Sequence, residues 1–215
     1  MSCVYVYVVD RDFGFAPNPF HGFCTLATCK PRLRRVCSVG DWVIGVGGCR
    51  LKATGRCIFA MRVSETMTFD QYWNDDDSFD KRPVRNGSLR MMVGDNIYSH
   101  DPIMGQWRQA DSHHSNPDGT PNEYNLTNDT RADKVLISTH FFYFGKGAPR
   151  IPESILESIG YRNGRNHRVF DLGCCQGLLD WLESEHGRCR NQVAGDPFDF
   201  EDSHRRYSVH GNKIS

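Results

Sequence analysis

The chain has 215 residues, 39% of them hydrophobic and 12% aromatic, so a real core can form. Its 26 basic residues balance 26 acidic ones, and a net charge of zero argues against non-specific, charge-driven binding to long nucleic acid. The longest apolar run, Val4 to Val9, is far shorter than the roughly 20 residues that a membrane-spanning helix needs.

The amino-terminus and the cysteines both predict a cytoplasmic protein. The first residues lack the basic start and the cleavage region of a signal peptide. The nine cysteines are an odd number and include no CxxC pair. We therefore expect reduced, mostly buried thiols, with neither a metal site nor a membrane partner.

The first predicted elements are a strand and a loop that is rich in phenylalanine. Val4 to Val9 is apolar on both faces, which predicts a central strand. The loop from Asp10 to Phe23 combines glycine and proline with four aromatic side chains, which are Phe13, Phe15, Phe20 and Phe23. It is either a rigid cap on the core or an aromatic wall for a ligand.

A basic run follows this loop. Phe23 to Cys29 is either a strand or the start of a helix, and Arg32 to Val36 fits one short helical turn. Four cations without an intervening acid predict a local phosphate-binding face, formed by Lys30, Arg32, Arg34 and Arg35. Strands are predicted at Trp42 to Val46 and at Cys57 to Val63.

The middle of the chain has little regular pattern. Thr68 and Gln71 fit a capping box at the start of a short helix. From Asp75 to Asp133, turn-forming residues dominate, with scattered apolar ones. Ordering such a stretch costs conformational entropy, which its apolar side chains can offset only by packing on an existing surface. We therefore expect this segment to fold back over the amino-terminal loop and form a pocket with it.

The last third predicts further regular elements. Lys134 to Ser138 and Phe141 to Phe144 fit one strand pair or one broken strand, and helices are predicted at Pro152 to Ile159 and at Gly177 to His186. The predicted fold is a single α+β domain over residues 1–215, with a less regular extension from about residue 187. Its sheet is mostly antiparallel or barrel-like.

The most enzyme-like feature is the pair His113-His114. Adjacent histidines in an extended chain point in opposite directions, so one of them is expected to enter a given pocket. Asp95, Asp111 or Asp12 could orient that imidazole. The catalytic candidates are therefore His113, His114, Asp95 and Asp12; the alternative is a pair of exposed histidines in a turn.

Two other chemistries receive less support. Cys29-Lys30 fits a nucleophile beside a cation, but a buried cysteine beside a phosphate-facing lysine is favoured. His100, His113 and Asp95 form a conceivable metal site, but no recognised ligand spacing supports it.

Aromatic, amide and basic side chains supply the nucleotide-binding candidates. An aromatic ring can stack on a base, although each is also an ordinary core residue. The candidates are Phe15, Asn18, Phe20, Lys30, Arg34, Arg35, Trp42, Asn96 and Tyr98. The sequence contains no phosphate loop, dinucleotide fingerprint or methyltransferase motif, so no cofactor is specified.

Six phrases in the same order carry a resemblance to a known family. They are DFGFAPNPF from Asp12, TLATCKP from Thr25, VGDW from Val39, QYW from Gln71, GDNIY from Gly94 and DSHHS from Asp111. The chain resembles the second-type nucleotide modification associated domain of bacterial and phage proteins. The resemblance implies an α+β domain with a role in DNA base modification, without any catalytic assignment.

A weaker resemblance concerns the turn Gly40-Asp41 and the apolar strand after it, which is similar to small PUA-like barrels. The predicted function is a base modification factor acting on a nucleotide or a DNA base. The alternatives are a non-catalytic PUA-like module that binds a modified base or nucleotide, and a structural partner in a modification or defence complex. Expected partners are DNA or a nucleotide, together with proteins of a DNA-modification system.

Overall fold

A five-stranded and a three-stranded sheet form the scaffold, which the computed structural model describes within residues 2–215. In chain order, the strands are β1 (Cys3–Val9), β2 (Cys24–Leu26), β3 (Trp42–Gly47), β4 (Cys57–Arg62), β5 (Glu65–Met67), β6 (Tyr98–His100), β7 (Trp107–Gln109), β8 (Val135–Ser138), β9 (His140–Tyr143), β10 (His167–Asp171), β11 (Tyr207–Ser208) and β12 (Lys213–Ile214). The larger sheet has the order β10-β1-β3-β4-β9, and the smaller one β2-β8-β5.

Strand β1 is central, as its two apolar faces predict. It pairs in parallel with β3 and antiparallel with β10, and the side chains from Val4 to Tyr7 are all buried. The other named pairings in the two sheets are antiparallel. The predicted α+β class is confirmed. Within residues 2–215 the sheets stay open, so the barrel alternative for the sheet is not the one observed.

The segment between β8 and β9 joins the two sheets. Strand β8 pairs with β2 and β5, whereas β9 pairs with β4 in the larger sheet. Of the two predicted forms, this is the broken strand. Two apolar cores result, one on the larger sheet and one between the smaller sheet and the loops.

Helices are few and short. They are α1 (Pro31–Val36), α2 (Phe69–Asn74), α3 (Leu89–Met92), α4 (Glu123–Asp129), α5 (Glu153–Ser158) and α6 (Gln176–His186). The predicted capping box is present at α2, where the Gln71 N–H donates to Thr68 Oγ1 and the Thr68 N–H donates to Gln71 Oε1. Within residues 2–215, none of the helices has the length and apolar character needed to cross a bilayer.

The irregular middle packs on the amino-terminal loop, as predicted. The buried Lys81 Nζ donates to the Asn18 backbone and amide oxygens, both at 3.0 Å, and to the Phe23 carbonyl at 2.7 Å. Asn18 in turn donates to the Val93 carbonyl. Phe13, Phe15 and Phe20 are buried in the second core, as the cap interpretation of the loop predicts.

The segment from residue 187 onward is less regular, with short 3-10 turns and the small β11–β12 hairpin. The Tyr207 N–H donates to the His113 carbonyl at 2.7 Å. The Val209 N–H donates to Asn125 Oδ1 at 2.7 Å. The carboxy-terminal segment therefore lies over the same part of the molecule as the histidine pair.

Candidate active site

A cysteine and a histidine that are 85 positions apart in the sequence meet beside the smaller sheet. Cys29 follows β2 and precedes α1, and His114 belongs to the irregular middle of the chain. The Cys29 Sγ lies 3.7 Å from the His114 Nε2. A thiol facing an imidazole nitrogen at this distance is the geometry of a nucleophile and its base.

Asp129 completes a triad. This buried residue ends helix α4, and its Oδ2 lies 2.9 Å from the His114 Nδ1. Its Oδ1 accepts a hydrogen bond from the Cys29 backbone N–H, also at 2.9 Å. One carboxylate thus orients the imidazole of His114 and fixes the backbone of Cys29. The three groups are arranged like the nucleophile, base and orienting group of a catalytic triad.

Two buried side chains support the triad from behind. The Tyr98 hydroxyl donates to Asp129 Oδ2 at 3.0 Å and accepts from Gln109 Nε2 at 3.2 Å. The Arg34 guanidinium donates to the carbonyls of Cys29 and Asp129. Fixed partners of this kind hold catalytic groups in position through their own hydrogen bonds.

The charges of the two histidines differ because their neighbours differ. Burial alone would lower the pKa of His114, but the neighbouring Cys29 and Asp129 outweigh it and raise that pKa above its ordinary value. Burial, followed by the neighbouring His114, lowers the pKa of His113 to about 3, so His113 is neutral. Of the two imidazoles, His114 is therefore the one equipped to hold a proton.

The backbone at Cys29 adopts an uncommon conformation. Cys29 has a φ of 57° and Lys30 a φ of 42°, both in the left-handed region. For residues other than glycine this costs about 1–3 kcal/mol each and is found where a functional side chain must be presented. The hydrogen bonds of Asp129 and Arg34 to the Cys29 peptide groups hold this conformation in place.

The triad opens into a cavity of about 360 Å³, called here the triad cavity. The thiol and both histidines line it, and so do aromatic walls and several polar groups. Aromatic walls come from Tyr7, Phe13, Phe15 and Tyr207, and polar groups from Asp10, Arg11, Asn125, Asn128 and Asn212. The volume is at the small end of ligand pockets, which suits a ligand of about the size of one nucleoside.

Three of the four catalytic candidates lie outside the triad. His113 lines the triad cavity, and its Nδ1 lies 2.6 Å from the Arg205 carbonyl oxygen. Asp12 is buried away from the lining, where it accepts hydrogen bonds from the Tyr143 hydroxyl and the Phe198 N–H. Burial raises the pKa of Asp12 to about 6, against the opposing effect of these bonds.

Asp95 lies in a separate buried network. It accepts from Thr25 Oγ1 at 2.7 Å and from the Tyr72 hydroxyl at 2.8 Å. The neighbouring Asn96 donates its amide to the Tyr72 carbonyl at 2.8 Å. These groups join the middle segment to β2 and α2, and they are not among the residues that line the triad cavity.

The nucleotide-binding candidates also separate into groups. Phe15 and Lys30 line the triad cavity, and Arg35 lines a groove beside it. Tyr98 and Arg34 are buried supports of the triad. The remaining ones, Asn18, Phe20, Trp42 and Asn96, are buried elsewhere.

Asp129 was not among the residues predicted from the sequence, and for Cys29 a buried thiol beside a phosphate-facing lysine was favoured. Asp129 lies at the end of a helix in the stretch where no regular pattern was predicted. The one local signal was Cys29-Lys30 itself, a thiol in a turn before a proline. The pairing of both with His114 depends on contacts between residues 15 and 85 positions apart.

The same three residues also resemble part of a metal-binding set. One ligand atom each from Cys29, His114 and Asp129 lies within 4.8 Å of the others. However, both Asp129 oxygens and the His114 Nδ1 already make hydrogen bonds within the triad. This leaves a thiol and one imidazole nitrogen facing each other. The carboxylate lies behind the imidazole, where it orients the ring through a hydrogen bond.

Comparison with known proteins identifies a family and nothing finer. No curated protein and no solved structure gives a significant match to the chain. A family model described as nucleotide modification associated domain 2 matches residues 1–204, nearly the whole chain, which confirms the predicted resemblance. The chain therefore belongs to the nucleotide modification associated domain 2 family, whose name associates it with the modification of nucleotides.

Proposed function

We propose that this protein is a thiol-dependent acyltransferase of nucleotide modification, with Cys29 as its nucleophile. The observation that carries this proposal is the Cys29–His114–Asp129 triad, in which the thiol faces the base at 3.7 Å and the base faces the carboxylate at 2.9 Å. The same combination of a thiol, an imidazole and an orienting group performs acyl transfer on unrelated folds.

The first half-reaction would load the enzyme. Cys29 Sγ forms a bond to the carbonyl carbon of an ester, amide or thioester, while the proton of the thiol is held on His114 Nε2, whose pKa Cys29 and Asp129 raise. When the tetrahedral adduct collapses, the bond to the leaving group breaks, and the leaving group takes that proton from His114. Asp129 stabilises the imidazolium between these steps, and a thioester remains on Cys29.

The second half-reaction would transfer the acyl group to the nucleotide. An amino or hydroxyl group of the nucleotide attacks the thioester carbon and gives its proton to His114. The carbon–sulfur bond breaks, and the thiol of Cys29 regains the proton. The triad cavity supports this assignment, because its aromatic walls offer stacking surfaces to a base, and the amide groups of Asn128 and Asn212 offer hydrogen bonds to the base edge.

The acylation step can be tested without knowledge of the natural donor. We expect p-nitrophenyl acetate to give a burst of p-nitrophenol, with one acetyl group found on Cys29 by peptide mass spectrometry. His114→Ala should slow this burst by about 100-fold or more, the usual contribution of a general base. Cys49 and Cys174 are exposed thiols and serve as internal controls whose modification should not change.

The outcome that contradicts the proposal is equally specific. If Cys29 is acetylated no faster than Cys49 and Cys174, or if His114→Ala leaves its rate unchanged in a folded protein, Cys29 is not an activated nucleophile. The non-catalytic alternative, a module that binds a modified nucleotide, would then be preferred.

A metal centre is the second candidate, because the three ligand atoms lie within 4.8 Å of one another. A thiol and an imidazole suit zinc. In that case purified protein should contain zinc at one per chain, Cys29→Ser should remove it, and a chelator should increase the alkylation of Cys29 by iodoacetamide. The acyltransferase proposal predicts that a chelator leaves this alkylation unchanged.

A further inference from the structure

A groove with a strong positive charge adjoins the triad cavity. It has a volume of about 590 Å³ and includes no carboxylate among its lining residues. The cationic groove is defined by its five basic side chains, which are Lys30, Arg32, Arg35, Arg131 and His167. Lys30, Asn128 and Val209 line both spaces, so the groove leads directly to the triad cavity.

The cations of the groove take no part in the ion pairs of the described residues. Within residues 2–215, none of the ion pairs involves Lys30, Arg32, Arg35 or Arg131. Arg35 donates to the backbone carbonyl of Arg131, which ties the Arg35 side chain to the segment that carries Arg131. Burial, together with the neighbouring Lys30 and Arg32, lowers the pKa of His167, as expected where positive charges are crowded.

We infer that the cationic groove binds the phosphate backbone of a single-stranded nucleic acid whose unpaired base enters the triad cavity. The groove is larger than the cavity and carries four basic side chains, Lys30, Arg32, Arg35 and Arg131, which is more positive charge than the phosphate of one mononucleotide needs. A base can enter a cavity of this size only when it is unstacked and unpaired. This inference rests on the proposed function, because it names the form of nucleotide that reaches Cys29.

Charge reversal inside and outside the groove provides the test. Arg32 and Arg131 are exposed, and neither side chain makes a hydrogen bond or an ion pair within the described residues. We expect the double substitution Arg32→Glu/Arg131→Glu to weaken the binding of a fluorescent single-stranded oligonucleotide by about tenfold or more. The double substitution Lys146→Glu/Arg188→Glu changes the net charge equally at exposed sites outside the groove, and should leave the affinity within about twofold.

The salt dependence of binding gives a second measurement. Each lost phosphate contact with a single strand lowers the slope of log affinity against log salt by about 0.7, so the groove variant should lose about 1.4. Equal effects of the two double variants would overturn the inference, as would equal affinities for a mononucleotide and a long oligonucleotide. Anionic vesicles that bind while the oligonucleotide does not would also overturn it.

The binding assay separates this inference from the proposed function. It is performed in the Cys29→Ala background, where no acylation can occur, and reports on the groove alone. If acetylation of wild-type Cys29 fails while groove-dependent binding remains, the proposed chemistry is wrong and the groove assignment stands. If Cys29 is acetylated as expected but binding does not depend on the groove, the proposed chemistry stands and the inference of a bound nucleic-acid strand is wrong.

A different observation assigns a role to Tyr7. Its side chain is 2% exposed and lines the triad cavity, yet its hydroxyl has no hydrogen-bond partner within the described residues. Leaving a buried hydroxyl without a hydrogen-bond partner destabilises the protein, so the Tyr7 hydroxyl is expected to have a ligand as its partner. The ammonium of Lys30 lies 4.5 Å from the centre of the Tyr7 ring and adds positive charge beside it.

We propose that the Tyr7 hydroxyl donates a hydrogen bond to the oxyanion formed when Cys29 attacks an acyl carbon. Burial, followed by the neighbouring Cys29, holds the pKa of Tyr7 well above its ordinary value, so the hydroxyl keeps its proton. Donors aimed at the developing charge of a tetrahedral adduct are among the largest contributors to acyl transfer.

Two reactions of the same thiol test this role. Acetylation by p-nitrophenyl acetate forms an oxyanion, whereas alkylation by iodoacetamide does not. We expect Tyr7→Phe to slow acetylation of Cys29 by about 100-fold and to leave its alkylation within about twofold. Tyr161→Phe removes another buried hydroxyl without a partner, outside the lining of the triad cavity, and should change neither rate. Equal slowing of both reactions by Tyr7→Phe would show that Tyr7 only shapes the site.

Discussion

Asp129 accepts a hydrogen bond from the backbone N–H of Cys29 at 2.9 Å, although the two residues are 100 positions apart in the sequence. The same carboxylate binds the imidazole that faces the Cys29 thiol. The position of the thiol relative to its base is therefore set by one buried group, which makes Asp129 the residue on which the geometry of the triad depends.

Replacing this carboxylate by an amide should disable the triad without removing its shape. We expect Asp129→Asn to slow acetylation of Cys29 by about 100-fold or more, because the amide neither fixes the tautomer of His114 nor stabilises its charged form. Asp133→Asn is the control, since Asp133 also accepts a backbone N–H, that of Phe69 at 2.7 Å, and does not touch the triad. Similar rates in both variants would contradict the role of Asp129.

Tyr98 and Tyr72 form a matched pair of buried tyrosines, each donating to a buried carboxylate. Tyr98 donates to Asp129 at 3.0 Å, and Tyr72 donates to Asp95 at 2.8 Å. Each Tyr→Phe substitution should lower the free energy of unfolding by about 1–3 kcal/mol. Only Tyr98→Phe should also slow acetylation of Cys29, by about tenfold, because only Asp129 orients His114. Denaturant titration and burst kinetics measure the two effects separately.

Arg34 is expected to matter for stability, in contrast to its neighbour Arg35. The buried Arg34 guanidinium donates to the carbonyls of Cys29, Asp129, Ala132 and Lys134. A lysine cannot reach four acceptors in a plane, so Arg34→Lys should cost about 2–4 kcal/mol of unfolding free energy. Arg35→Lys at the exposed neighbouring position should cost less than about 0.5 kcal/mol. If Arg34→Lys and Arg35→Lys have the same midpoint of thermal unfolding, Arg34 matters no more for stability than Arg35.

Asp12 predicts an unusual dependence of stability on pH. Burial raises its pKa from the ordinary 3.8 to about 6, so the folded state binds the proton more tightly than the unfolded state. The resulting stabilisation is fully present below about pH 4 and is lost as the pH rises through about 6. Relative to Asp12→Asn, the wild type should lose up to about 3 kcal/mol of unfolding free energy between pH 4 and pH 7. The free energy of unfolding is measured by urea titration at each pH. If it depends on pH in the same way in the wild type and in Asp12→Asn, the prediction is wrong.

Local patterns account for much of the scaffold. The two apolar faces of Val4 to Val9 predicted a central strand, and Thr68 with Gln71 predicted a capped helix; both are present. Each of these features depends on side chains only a few positions apart, so the sequence alone contains the necessary information. The family resemblance likewise follows from short phrases in a fixed order and is confirmed over residues 1–204.

The candidate site depends on another kind of information. The sequence directed attention to His113-His114, but the choice between the two imidazoles depends on packing, which buries His113 against Phe13 and turns His114 toward Cys29 and Asp129. Asp95 and Asp129 are both aspartates in the irregular middle of the chain. In the structure, Asp95 accepts hydrogen bonds from Thr25 and Tyr72, whereas Asp129 orients the imidazole of His114. Composition, periodicity and caps thus determined the elements of this protein, whereas the tertiary structure determined which side chains meet in the candidate site. The physical reason is that hydrogen bonds between residues 15 to 100 positions apart form only after two sheets and an irregular segment have packed together.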